Sequence, residues 1–265
     1  MSDRPEASRF RARLLERQPL IGTFMKVPAT QNTEILGLEG FDFVVLDEEH
    51  APWDRATLDH ALLAARAYNI AALVRVADGG PSSILAALDA GASGVVVPHV
   101  ASAEQARRVV ASARYLGGTR GSAASRGGEY GARGADNYRI SDERTAVICI
   151  IEDHQAIAEV DEIAVVEGID ALFIGRSDLA LSLRNAGPAA PGVEEAVERV
   201  AAAAARAGKP LAAVAQSLRG PEAAWLAGLG VTALMVSSDI GLLRQSARAA
   251  LQDFGLLMNT SRESR

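Results

Sequence analysis

Cysteine is almost absent: Cys149 is the only one in 265 residues. A lone thiol forms no internal disulfide, so neither a stapled fold nor an oxidising compartment is implied. Its place in the apolar run Ala146–Ile151 marks it as core. Lysine is scarce as well, with Lys26 and Lys209 alone against many arginines. Schiff-base chemistry needs a lysine pointing into the site. Lys209 precedes an apolar run and Lys26 follows one, which leaves Lys26 as the candidate amine. Positive charge is not in excess: the formal net charge is -6, which argues against a dedicated nucleic-acid or anionic-membrane surface. No apolar stretch approaches the roughly 20 residues of a membrane span, and Met1 to Gln18 holds no apolar signal core. A soluble, cytoplasmic protein is expected. There is no G-x-G-x-x-G after the first apolar run and no phosphate-loop sequence, which argues against dinucleotide-binding and nucleotide-hydrolysing folds.

What the chain has instead is alternation. Aromatics are 5% while apolar residues reach 49%, a composition suited to helices packed closely on a buried parallel sheet. Short apolar runs predict strands at Leu20–Phe24, Phe43–Leu46, Ala71–Arg75, Gly94–Pro98, Ala146–Ile151, Ala171–Ile174, Leu211–Val214 and Ala233–Val236. Helical spacing predicts helices at Thr57–Tyr68, Ser82–Ala90, Ala103–Tyr115, Val193–Ala207, Pro221–Leu229 and Ile240–Leu251. Strands and helices in this order fit one closed (β/α)8 barrel, residues 1–265, with short polar N- and C-terminal extensions and fraying beyond Leu257. Gly117–Asp142 breaks the rhythm, and its Arg120, Arg126 and Arg133 fit a surface excursion or an anion- or partner-facing loop equally well.

Barrel chemistry gathers at the C-terminal ends of strands, so the polar residues closing each apolar run are the candidates. The second run ends Asp47-Glu48-Glu49-His50. Such a cluster is costly unless paired or functional, and a histidine there can exchange protons near neutrality. Asp47 could also simply cap a helix. Arg75 closes the third run, where its fixed fork could hold a carboxylate or an enolate oxygen; an internal salt bridge would account for it equally well. Glu152 and Asp178 follow the fifth and sixth runs, where two carboxylates can converge on one divalent cation.

The chain reads D-x-E-H-A-P at Asp47–Pro52, V-R at Val74–Arg75, L-D-A-G-A at Leu88–Ala92 and V-V-P at Val96–Pro98. It continues with R-Y-x-x-x-x-R-G at Arg114–Gly121, I-E at Ile151–Glu152 and G-I-D-A-L-F-I-G-x-x-D-L at Gly168–Leu179. In this order the segments resemble the HpcH/HpaI family of class II pyruvate aldolases, and more distantly citrate lyase β-subunits. The resemblance spans Gly22 to about Leu243 and implies a phosphoenolpyruvate/pyruvate-type TIM barrel. It implies that Glu152 and Asp178 bind Mg2+, Mn2+ or Co2+, that Arg75 stabilises a pyruvate enolate, and that His50 moves protons with Asp47 orienting it. Backbone amides around Gly175–Ser177 would bind the same oxyanion. Asp89 matches an acid that approaches a neighbouring subunit's site, and a homohexamer is expected.

The implied reaction is reversible addition of a pyruvate or hydroxypyruvate enolate to an aldehyde, giving a 4-hydroxy-2-oxo acid. Glu48, Ile150 and Arg176 stand where the family commonly has glycine, glutamine and proline, which points to an altered substrate range. The alternatives are an acyl-CoA ester lyase of the citrate lyase β-subunit type, a non-catalytic barrel that binds a 2-oxo acid, and a Schiff-base aldolase using Lys26.

Overall fold

The computed structural model describes residues 6–263, with side chains described through Met258. The strands are β1 Leu20–Met25, β2 Phe43–Asp47, β3 Ala71–Arg75, β4 Gly94–Val97, β5 Ala146–Ile151, β6 Ala171–Ile174, β7 Leu211–Ala215 and β8 Val231–Ser238. They pair in parallel and in sequence order, and β8 closes on β1. This is the (β/α)8 barrel expected from the alternation.

The helices are α1 Phe10–Leu15, α2 Thr30–Glu39, α3 Arg55–Ala67, α4 Pro81–Asp89, α5 Ala103–Ala113 and α6 Asn137–Arg144. They continue with α7 His154–Ala158, α8 Val160–Ala164, α9 Arg176–Ala186, α10 Val193–Arg206, α11 Pro221–Gly228 and α12 Asp239–Glu263. Start signals are local. Asp54 and Thr57 form a reciprocal capping box at α3, and Pro81 and Pro221 open α4 and α11, where a missing N–H is harmless. α2 escapes the sequence pattern because its segment TQNTEILGLE carries few apolar positions. Gly37 within it packs so tightly that a Cβ would lie 2.8 Å from Tyr68 Cβ.

Strand periodicity builds two cores. Phe43, Val45, Ala71, Leu73, Ile148, Ile150 and Phe173 point into the barrel. Their alternates Val44, Leu46, Ala72, Val74, Cys149 and Ile174 face the helices. Cys149 is fully buried there, and burial pushes its thiol up to about 12. It is expected to resist alkylation in the native protein and to react fully on unfolding, as a thiol count with and without denaturant would show.

The polar extensions expected at the two ends lie partly outside the described residues, and what is described there is not all polar. At the foot of the barrel, Phe10 and Leu14 of α1 are buried, and the Phe10 ring lies 5.2 Å from that of Phe43. The plug needs room, and Gly22 provides it, since a Cβ there would sit 2.5 Å from the Phe43 ring. At the other terminus α12 runs on past Leu257 to Glu263. It leaves Leu243, Leu251 and Phe254 exposed, an apolar surface that no described residue covers. Among the described residues no helix is long and apolar enough to cross a membrane.

Candidate active site at the barrel mouth

The same period of two that aims Phe43 and Val45 inward also aims Asp47, and it does likewise for Arg75 on β3 and Glu152 just past β5. Asp47 and Arg75 are direct register partners across β2 and β3. Arg75 donates from Nε to Asp47 Oδ1 at 2.7 Å and from NH2 to Oδ2 at 2.7 Å, a bidentate fork. Lys26 Nζ donates to the same Oδ2. Burial alone would push the Asp47 carboxyl up, but Arg75 and then Lys26 outweigh it and hold it below its usual range. Asp47 therefore anchors two cations. Toward His50 it accepts only the backbone N–H, at 3.2 Å, so it fixes the turn rather than the imidazole. The His50 ring is half exposed, with Nε2 3.8 Å from Glu49 Oε2.

Glu49 joins the site from the same turn. Its Oε2 lies 3.1 Å from Arg75 NH1, yet it is buried without a hydrogen-bond partner. Its Oε1 lies 3.4 Å from His99 Nε2. His99 follows β4 with a left-handed backbone, φ 55°, and such a conformation in a non-glycine residue is often tied to function. Its N–H donates to Glu152 Oε1 at 2.9 Å and its Nδ1 lies 3.1 Å from Asp153 Oδ2. Burial pulls the imidazole down, but Glu152, Asp153 and Glu49 outweigh it and the net shift is upward.

Glu152 is 2% exposed, and burial, aided by the charges of Glu49 and Asp178, pushes its carboxyl up to about 7. Gly175 makes room for it: a Cβ at that position would lie 2.6 Å from Glu152 Oε2. One ligand atom each from Glu49, His99 and Glu152 falls within 4.8 Å of the others. A buried carboxylate held protonated near neutrality, a second with an orphaned oxygen and an adjacent nitrogen donor fit a divalent cation, whose charge would relieve all three. Asp178, on the first turn of α9, is near enough for its charge to act on Glu152 but lies outside that trio.

The remaining candidates divide. The Gly175 N–H is committed to the Ile151 carbonyl at 3.2 Å, so it is unavailable to an oxyanion. Arg176, Ser177 and Asp178 open α9, whose first N–H groups have no intrahelical acceptor and carry the positive end of the helix dipole. Arg176 turns its side chain away to Glu222 and the Val214 carbonyl. Glu48 has its electrostatic partners in Arg55 and Asp78 rather than in His50. Ile150 is sealed inside the barrel. Asp89 ends α4 at the foot, bonded to Arg120 at 3.1 Å and remote from this chain's own mouth. His99 is the residue that the sequence analysis missed. The signal was present in its place directly after the V-V-P strand end, but a histidine beside a proline carries no pattern of its own.

A family profile described as HpcH/HpaI aldolase/citrate lyase matches residues 20–243. This chain belongs to that family. It is 36% identical over 252 residues to the 5-keto-4-deoxy-D-glucarate aldolase of Klebsiella pneumoniae subsp. pneumoniae, covering 93% of this chain and 96% of the relative. Among solved structures it resembles an HpcH/HpaI aldolase/citrate lyase family protein from Burkholderia cenocepacia J2315. That match has a TM-score of 0.86 and 31% identity over 93% of this chain and 99% of that one. It also resembles the citrate synthase SbnG, with a TM-score of 0.81 and 29% identity over 94% and 98% of the two chains. With aldolases matching along nearly its whole length, this member of the family is an enzyme of that type, a carbon–carbon lyase acting on small molecules.

Proposed function

We propose that this aldolase reversibly adds the enolate of pyruvate or hydroxypyruvate to an aldehyde, giving a 4-hydroxy-2-oxo acid, with Mg2+, Mn2+ or Co2+ as cofactor. The observation that carries this reading is the buried Glu152 carboxyl, held near 7 beside Glu49, His99 and Asp178, and facing Arg75 across the mouth. Glu152 and Asp178 would hold the cation, with Glu49 and His99 within reach. A cation there supplies Lewis acidity to the keto oxygen of the 2-oxo acid.

The chain's own groups do the rest. Arg75, braced by Asp47, keeps NH1 outside the Asp47 fork and close to where negative charge develops on that oxygen. The N–H groups opening α9 favour the substrate carboxylate. His50, half exposed at the rim, moves a proton between solvent and the acceptor's hydroxyl. Lys26 is engaged by Asp47, so its amine is committed to an ion pair rather than free for Schiff-base attack.

The likeness to 5-keto-4-deoxy-D-glucarate aldolases supports an acidic sugar-derived product. The uncovered apolar surface of α12 supports a homo-oligomer, with a hexamer as the expected assembly and Asp89 reaching a neighbouring site. We place the enzyme in the cytoplasm.

Proton NMR of pyruvate in D2O tests the central step without a choice of aldehyde. Chelator-stripped enzyme is expected to exchange the methyl protons only after Mg2+ is added. Exchange without any cation, or none with pyruvate or hydroxypyruvate under any cation, would refute the reading. His99→Ala tests the nitrogen donor. Nitrogen ligands favour later transition metals over magnesium, so calorimetry should record roughly a tenfold loss of Co2+ affinity with a smaller loss for Mg2+. Equal losses would remove His99 from the donor set.

A further inference from the structure

The loop between α5 and α6 carries arginines that the barrel mouth does not use. With the C-terminal ends of α3 and α4, this loop encloses a cavity of about 200 Å3. Its walls include Ala72, Ser93 and Thr145, at or just before the starts of β3, β4 and β5. The cavity therefore lies at the foot of the barrel, at the opposite end from Glu152. Arg66, Arg120, Arg126, Arg133 and Arg144 line it against a single carboxylate, Glu129. Such a concentration of positive charge is notable in a chain of net charge -6.

Two of the five are satisfied locally. Arg126 is bonded to Asp59 and to the Ala90 carbonyl, and Arg133 to Glu129 and the Gly127 carbonyl. The other three are not. The Arg120 side chain is only 1% exposed; it donates from NH2 to Asp89 and stacks on Tyr115, but its Nε is buried without a partner. Arg66 and Arg144, at the exposed rim, make no ion pair with any described residue, although both charges help Arg133 hold the Glu129 carboxyl low. Counting Asp59 and Asp89 as well, three carboxylates face five arginines. Glu129 is presented by a turn in which it and Tyr130 both have left-handed backbones, φ 51° and 55°.

We propose that this cavity is a binding site for a small oxyanion bearing two negative charges, a phosphate group or a compact dicarboxylate, at the opposite end of the barrel from this chain's own catalytic mouth. Guanidinium forks match the oxygens of both. The anion accepts from Arg66 and Arg144 at the rim, linking α3 and α6, and the buried Arg120 guanidinium adds its charge from within the wall. Glu129 occupies part of the same positive field and competes with it.

Calorimetric titration of the metal-free enzyme with inorganic phosphate, and separately with malonate, tests this. Binding by at least one is expected, and which of them binds assigns the phosphoryl or the dicarboxylate source. The rim variant Arg66→Ala/Arg144→Ala leaves the buried Arg120 and the fold in place and should weaken binding at least about tenfold, the loss expected for charge-assisted hydrogen bonds. Glu129→Gln should tighten it. Arg75 at the mouth also attracts anions, so Arg75→Lys serves as the control and should leave the titration unchanged. No binding of either anion at 20 mM (about the weakest useful affinity), binding indifferent to the rim variant, or binding lost in Arg75→Lys would each overturn the proposal.

Discussion

Glutamine in place of Glu152 is expected to abolish divalent-cation binding while making the metal-free protein more heat-stable above neutral pH. The two effects have one cause. The ordinary value of this carboxyl is 4.5, and in the fold burial, with Glu49 and Asp178 adding to it, raises it to about 7. The folded chain then binds the proton more tightly than the unfolded one. Its contribution to stability is complete below about 4.5 and is lost as pH rises through about 7. Glutamine keeps the shape without the charge, so the variant escapes that loss. It should melt a few degrees above the wild type at pH 8, with little difference at acid pH. Cation affinity should fall by about 100-fold or more, beyond what outer-shell changes produce, read as free Mn2+ by electron paramagnetic resonance. In the wild type, cation and proton compete for one carboxylate, so affinity should climb toward neutral pH and flatten above it. A variant that binds Mn2+ normally would move the cation away from Glu152. Melting differences independent of pH would contradict the burial argument.

Asp47→Ala is expected to be the most destabilising substitution at the mouth. Asp47 is wholly buried and holds Arg75 by two bonds of 2.7 Å, with Lys26 on the same oxygen. Removing it leaves the guanidinium buried with Glu49 and the more distant Glu152 as its remaining carboxylates and a lysine beside it, and breaking a buried pair from one side costs about 3–5 kcal/mol. Denaturant melts measure this directly, and a variant as stable as the wild type would show that Arg75 does not depend on Asp47. Arg75→Lys asks the complementary question. An ammonium can still serve Asp47 but cannot fork across both oxygens and also reach toward the substrate. Its melt should stay close to that of the wild type while pyruvate exchange slows by roughly 100-fold or more, the scale of losing one oxyanion donor. An unchanged exchange rate would remove Arg75 from the chemistry.

The barrel and much of its mouth were legible because their signals are local and periodic. Short apolar runs bounded by Gly, Pro and polar residues mark strands buried on both faces. A period of two, followed along each run, carries Asp47, Arg75 and Glu152 inward. Motifs on the strand ends then pointed to the family on their order alone. Where local signals were weak, the sequence was silent: α2 has too few apolar positions to show a helical face, and His99 stands alone after a proline.

Other features belong to no single segment. That Asp47 braces Arg75 rather than the His50 ring follows from the register of β2 on β3. That Glu49 and His99 join Glu152 follows from the convergence of β2, β4 and β5 at the mouth. The buried foot plug of Phe10 and Leu14, and the arginine cavity gathered from α3, α4 and the long loop, likewise arise only when distant segments meet. Sequence alone determined which strands form and which side chains turn inward, because backbone sterics act between neighbouring residues. Tertiary structure alone decided which charges share a site, because electrostatic pairing and burial depend on distances that exist only once the barrel has closed.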